Sequence, residues 1–99
     1  MQKEGVMSQA DYVRIEGLEY QVARTRTISD ADLDWTLTHI SAQNNAIARA
    51  RFFNTLSNIN PMTAAQKAKI LPAITPYLSS TDRLDQAGAQ RVQKKMQAA

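Results

Sequence analysis

The chain has 99 residues, no cysteine and a formal net charge of +3 at pH 7. This length supports one domain with a small core. The lack of cysteine excludes disulfides and thiolate chemistry. The apolar runs are far shorter than the roughly 20 residues that a membrane-spanning helix requires. We therefore expect a small basic protein located in the cytoplasm.

Charge is distributed unevenly along the chain. Residues 1–48 carry seven acidic and four basic side chains, a net charge of −3, whereas residues 49–99 carry eight basic and two acidic side chains, a net charge of +6. No acidic residue lies between Asp34 and Asp82. An ordinary solvated helical surface mixes both signs, so this segment favours an anionic partner or burial in an interface.

The polar residues 1–10 are expected to form a flexible leader ahead of a single small domain, residues 11–99. From Asp11 onward apolar and polar residues alternate, which predicts a short β-hairpin over about residues 11–26 with Gly17 in its turn. The alternative is an amphipathic helix that contains Gly17 in its interior. The apolar stripe of that helix would consist of Ile15, Leu18 and Val22.

A long helix is predicted over about residues 30–56, because Ser29 is a good N-cap and acidic residues follow it. Heptad-like spacing along this helix indicates a coiled-coil-like seam through which the protein would form a homo-oligomer. The predicted interface residues are Leu33, Leu37, Ile40, Asn44, Ile47 and Arg51. A second apolar stripe on the opposite side, which includes Trp35 and Phe53, also requires cover.

Two shorter helices are predicted in the second half of the chain. Thr63 and Gln66 have the spacing of a capping box for the first of them. Pro72 and Pro76 are expected to make that helix irregular beyond Leu71. The last helix, over residues 82–97 with Thr81 as its N-cap, is expected to fray because large apolar residues are scarce there. The predicted fold is mainly α, of the α+β class, and all-α if the first segment is helical.

No motif for catalysis, metal binding or cofactor binding is apparent. The three aspartates after Ser29 resemble the opening of a calcium loop, but Trp35 and Ser41 occupy positions where that loop needs glycine and glutamate. His39 is the only histidine, which excludes a two-histidine metal site within one chain. We therefore expect a protein that is not an enzyme and has no cofactor.

The predicted hairpin and the serine-capped helix start S-D-A-D-L resemble part of small phage head-to-tail joining proteins, in which a hairpin precedes such a helix. The resemblance covers about a quarter of the chain. It implies a small bacterial or phage assembly protein. Those proteins also place a helix before the hairpin, and residues 1–10 are too short and polar for one.

These observations together predict a protein–protein interaction protein, such as an adaptor, assembly factor or inhibitor. Its expected partners are a second copy of itself and an acidic protein. The alternative is a nucleic-acid-binding protein that uses the basic second half. The bases expected to contact an anion or partner are Arg24, Arg26, Arg49, Lys67 and Lys69, each of which could also be an ordinary solvated base.

Overall fold

A computed structural model describes residues 8–42 and 46–97 of the chain, and these residues form five α-helices with no strand. A short 3-10 turn, Thr75–Tyr77, follows the fourth helix and precedes the fifth. The helices are α1 (Gln9–Thr25), α2 (Asp30–Ala42), α3 (Ala46–Ser57), α4 (Ala64–Ile74) and α5 (Arg83–Gln97).

The predicted hairpin is wrong, and the all-α alternative is correct. Residues 11–26 belong to α1 and its C-cap, and the buried residues of α1 follow helical spacing: Ile15, Leu18 and Val22. Ser8 starts the helix because its hydroxyl accepts from the Asp11 amide while the Asp11 carboxylate accepts from the Ser8 amide. The alternation was misleading because two of the alternating apolar residues, Val13 and Tyr20, lie on the exposed side of the helix.

The resemblance to phage joining proteins depends on the hairpin, and α1 removes it. The serine-capped start of the following helix remains, since the Ser29 hydroxyl accepts from the Asp32 amide at 3.2 Å. That feature is common to many helices and specifies no family.

The predicted long helix is also wrong, because its residues form two helices that pack against each other. The ring centroids of Trp35 in α2 and Phe52 in α3 are 5.8 Å apart. In one straight helix, 17 residues would separate these positions by about 25 Å. Separate helices let α2 cover part of α3, which one rod could not do.

In α4 the predicted capping box is confirmed. The Thr63 hydroxyl accepts from the Gln66 amide at 3.1 Å, and the Gln66 side chain accepts from the Thr63 amide at 2.9 Å. The prediction that the chain is irregular beyond Leu71 is correct only from Thr75 onward, because α4 continues through Pro72 to Ile74 before the 3-10 turn begins. Full burial of the Ile74 side chain favours the additional turn.

The N-cap of α5 is Asp82 and not Thr81. The Asp82 carboxylate accepts from the amides of Leu84 and Asp85 at 2.9 and 3.2 Å. The scarcity of large apolar residues in α5 is offset by its tight contact with α3, where Ala89 and Val92 are fully buried.

Helix α3 lies between α1 and α5 and runs in the same direction as both. Its first turns contact the first turns of α5 through Arg49 and Asp85, and its end meets the end of α1 through Asn58 and Arg26. The two apolar sides of α3 are therefore covered within one chain. The sixteen buried apolar residues form a single core.

Gly88 permits the close approach of α5 to α3. A Cβ atom at Gly88 would lie 2.6 Å from Cδ2 of the buried Phe53 ring and 2.9 Å from its Cβ and Cγ atoms. A side chain at this position would therefore force the two helices apart or displace the ring. Gly17 in α1 is different, because no atom lies within 4 Å of its Cβ position.

We predict opposite effects for alanine at these two glycines. Gly88→Ala should lower the free energy of unfolding by about 1–3 kcal/mol, because the added methyl overlaps Phe53. Gly17→Ala should raise the free energy of unfolding of the monomer by about 0.5–1 kcal/mol, because a helical position that faces solvent in the monomer gains helix propensity. Urea denaturation of both variants checks the pair. Equal effects would contradict the packing of α5 on α3.

Candidate functional site

Arg49, one of the predicted anion-contacting bases, is held inside the protein by Asp85. Its Nε and Nη2 atoms donate to the two carboxylate oxygens of Asp85 at 2.8 and 2.7 Å. The side chains are 14% and 3% exposed, and the guanidinium also lies 5.4 Å from the centre of the Tyr77 ring. The hydrogen bond to Asp85 raises the pKa of Arg49 above its usual value. This pair joins α3 to α5.

The other predicted bases do not converge on one site. Lys69 pairs with Asp34 at 3.1 Å on the surface, Lys67 is half-buried in α4, and Arg24 lies over the ring of Tyr20. Arg26 donates to Asn58, a residue that lines a cleft.

The C-terminal halves of α3 and α5 enclose an open cleft of about 430 Å³, which we call the basic cleft. Each side of the cleft contributes three residues at positions i, i+3 and i+4, the spacing that places side chains on one face of a helix. The α3 side is neutral and polar, and the α5 side is cationic. The lining residues are Asn54 and Ser57 on α3 with Asn58 directly after it, and Arg91, Lys94 and Lys95 on α5.

Arg26 extends the cationic surface at the edge of the basic cleft. Its Nη1 atom donates to the Asn58 side-chain oxygen at 3.3 Å, and its backbone carbonyl accepts from the Asn60 amide at 2.9 Å. Its φ angle is 63°, the left-handed conformation in which a helix usually carries glycine after its last turn. This conformation costs an arginine roughly 1 kcal/mol.

The basic cleft has no anionic counterpart among the described residues. None of their ion pairs involves the three cations on α5 or Arg26. The C-terminal ends of α1, α3 and α5 meet here, and each contributes roughly −0.5 of partial charge. The three helix ends together contribute a partial charge of about −1.5, which stabilises the four cations. Because the cations carry four positive charges, the helix ends do not neutralise them.

The residues of the predicted oligomer seam are dispersed. Leu33 and Ile40 are fully buried in the core, and Leu37 packs against it from a half-buried position. Ile47 is 69% exposed, and Arg51 donates to the Glu19 carboxylate of α1 at 3.2 Å. The remaining seam residue, Asn44, lies outside the described residues.

Two of the six large apolar side chains that are exposed in the described residues lie on the outer face of α1. Val13 and Tyr20 are each 65% exposed, and they lie on one stripe with Gly17 and Arg24 at positions i, i+4, i+7 and i+11. We call this stripe the α1 outer face. It faces away from the core stripe of the same helix.

His39 belongs to an aromatic and polar cluster between α1 and α2. Its ring stacks on Trp35 with centroids 4.3 Å apart, and its Nδ1 donates to the Trp35 carbonyl at 2.8 Å. Arg14 of α1 lies over the Trp35 ring, 4.6 Å from its centre, and its guanidinium is 3.1 Å from the Asp32 carboxylate of α2. These contacts fasten α1 to α2.

Residues 8–42 and 46–97 hold neither a cluster of metal ligands nor a membrane-spanning helix. No group of three or more His, Cys, Asp or Glu side chains in these ranges is arranged to hold a metal ion. None of the helices in them is long and apolar enough to cross a membrane.

Comparisons with family models, with curated proteins and with solved structures found no match to this chain. Two surfaces of the described residues remain as candidate binding sites: the α1 outer face and the basic cleft.

Sequence reasoning missed the three cations on α5. Arg91, Lys94 and Lys95 could be interpreted as a helix end whose charges suit the dipole. Their i, i+3, i+4 spacing was the available signal, and the same spacing recurs in the polar triplet of α3. Only the parallel packing of α3 and α5 shows that the two triplets face one cleft.

The buried pair yields a stability prediction. Asp85→Ala should lower the free energy of unfolding by about 3–5 kcal/mol, because it removes the buried carboxylate that binds the Arg49 guanidinium through two hydrogen bonds. Asp34→Ala removes the exposed pair with Lys69 and should cost about 0–1 kcal/mol. Thermal and urea unfolding of both variants measure the difference. A loss for Asp85→Ala no larger than that for Asp34→Ala would contradict the assigned role of the pair.

Proposed function

We propose that this chain is a non-enzymatic interaction protein that associates with a second copy of itself through the α1 outer face. The observation that carries the proposal is the exposed stripe in which two large apolar side chains flank a glycine. Three of the six large apolar side chains that remain exposed in the described residues belong to α1: Tyr12, Val13 and Tyr20.

Gly17 supports an interface at this stripe. A glycine inside a solvent-facing helix costs about 1 kcal/mol relative to alanine, and within residues 8–42 and 46–97 no atom of another element lies within 4 Å of its Cβ position. A second helix that crosses here could approach the backbone closely, which gives the glycine a physical reason. The neighbouring Val13 and Tyr20 would then be covered from water.

The α1 outer face is complementary to itself in an antiparallel arrangement. With the two-fold axis between Glu16 and Gly17, Val13 of one copy lies opposite Tyr20 of the other, and Gly17 lies opposite Glu16. The polar ends also match, since Gln9 would lie opposite Arg24. Such a contact is closed and isologous, as in most homodimers.

This proposal replaces the seam that depended on one long helix. No second copy is needed to cover the two apolar sides of α3, because α1 and α5 cover them within one chain. Self-association is now supported by α1. A location in the cytoplasm and an adaptor, assembly or inhibitory role stay predictions from the sequence.

Self-association is tested by light scattering from micromolar to near-millimolar protein. The unmodified chain should show a mass that rises with concentration toward that of a dimer. Tyr20→Glu should keep it monomeric, because the substitution places a charge in the apolar centre of the contact. Circular dichroism should be unchanged, since Tyr20 is not part of the core.

Leu71→Glu is the matched control. Leu71 is 44% exposed on α4, so the substitution makes the same kind of change on another helix. It should leave the concentration dependence intact. A monomeric mass for the unmodified chain at all concentrations, or equal dissociation by both variants, would refute the proposal.

A further inference from the structure

We propose that the basic cleft is a binding site for the phosphate backbone of a nucleic acid. This site is separate from the α1 outer face, and no residue of that face lines it. The proposal depends on the chemistry of the lining, on its unbalanced charge and on the conformation of Arg26.

The lining supplies the side chains that proteins use to contact backbone phosphates. Arg91, Lys94 and Lys95 provide charged donors, and opposite them the side-chain amides of Asn54 and Asn58 provide neutral donors, while the Ser57 hydroxyl donates to the Asn54 carbonyl at 2.8 Å. Phosphate oxygens accept from both kinds of group, and such contacts position a nucleic acid without reading its sequence.

The helix-dipole explanation accounts for only part of the positive charge. Lys94 and Lys95 lie in the last turn of α5, where cations suit the dipole. Arg26 is the C-cap of α1 and suits the dipole of that helix in the same way. Arg91 lies one turn earlier in α5, so the dipole explains it less well. The described residues place no carboxylate against any of these four groups.

An acidic protein partner fits this lining less well than phosphate. Binding energy between proteins comes mainly from aromatic and apolar anchors seated in dry pockets. The six lining residues include no aromatic or aliphatic side chain, and the cleft is open to water. A site whose lining side chains all end in polar or cationic groups matches the sugar–phosphate backbone, because the affinity of that backbone for proteins is largely electrostatic.

Arg26 supplies a second, independent observation. Its backbone adopts a conformation in which glycine would be more stable, yet the residue is an arginine whose guanidinium reaches the rim of the cleft through Asn58. Strained residues of this kind cluster at functional sites. The strain is explained if the side chain is needed for binding.

The direct test is binding of a short labelled DNA duplex, and of its single strand, by fluorescence anisotropy at several salt concentrations. If four phosphates are neutralised, the logarithm of the affinity for the duplex should fall with the logarithm of salt with a slope of about −3 to −4. Lys94→Gln should weaken binding to unrelated sequences equally and reduce the slope by about 1.

Lys67→Gln is the matched control, because it removes the same charge from α4, outside the cleft. It should leave the affinity and the slope close to those of the unmodified protein. Equal losses from Lys67→Gln and Lys94→Gln would overturn the assignment of binding to the cleft, since net charge alone would then explain it.

Arg26→Gly separates binding from folding. Glycine relieves the left-handed conformation, so the melting temperature should stay the same or rise, while the salt slope falls by about 1. A lower melting temperature with unchanged DNA binding would mean that Arg26 serves the fold alone, and would remove it from the site.

Two further outcomes would overturn the proposal as a whole. One is negligible binding of both DNA forms at about 0.15 M salt, where exposed charges beyond roughly 8 Å are screened. The other is tighter binding of polyglutamate than of DNA, which would indicate an acidic protein as the ligand. Neither outcome bears on self-association through α1, which light scattering measures without nucleic acid.

Discussion

The contact between α3 and α5 is the constraint on which the rest of the structure depends. At one end the buried Arg49 guanidinium binds both oxygens of Asp85, and one turn further Gly88 lets the α5 backbone approach Phe53. The ion pair fixes the register, because its bidentate geometry tolerates little sliding. The glycine fixes the distance. Two turns beyond, the same register sets the neutral triplet of α3 opposite the cations of α5.

Parallel packing of α1, α3 and α5 determines the electrostatics of the molecule. Three helices that run the same way bring three negative dipole ends together, which lowers the cost of clustering cations there. The acidic residues of the first half are used elsewhere: Glu19 pairs with Arg51, and Asp34 pairs with Lys69. The charge asymmetry along the sequence thus becomes a localised positive surface after some bases are neutralised within the fold.

The errors in the sequence-based fold have a common cause. Val13 and Tyr20 continue the two-residue alternation of Ile15 and Leu18, but they are 65% exposed because they form the outer face of a helix. Alternation is therefore ambiguous when both faces of a helix carry apolar residues. The prediction of one long helix was wrong for a similar reason. Heptad-like spacing cannot show that α3 packs back against α2, where the Phe52 ring meets Trp35.

The sequence by itself determined the features that depend on neighbouring residues. These are the helix starts at Ser29 and Thr63, the lack of cysteine chemistry and the acid-free middle of the chain, because capping and composition are local properties. Tertiary structure alone decided the rest: that Arg49 is used to join two helices, that α3 is covered on both sides, and which bases form a cleft. These outcomes depend on contacts between residues more than thirty positions apart, such as Arg26 with Asn58, and no local pattern encodes which distant partners meet.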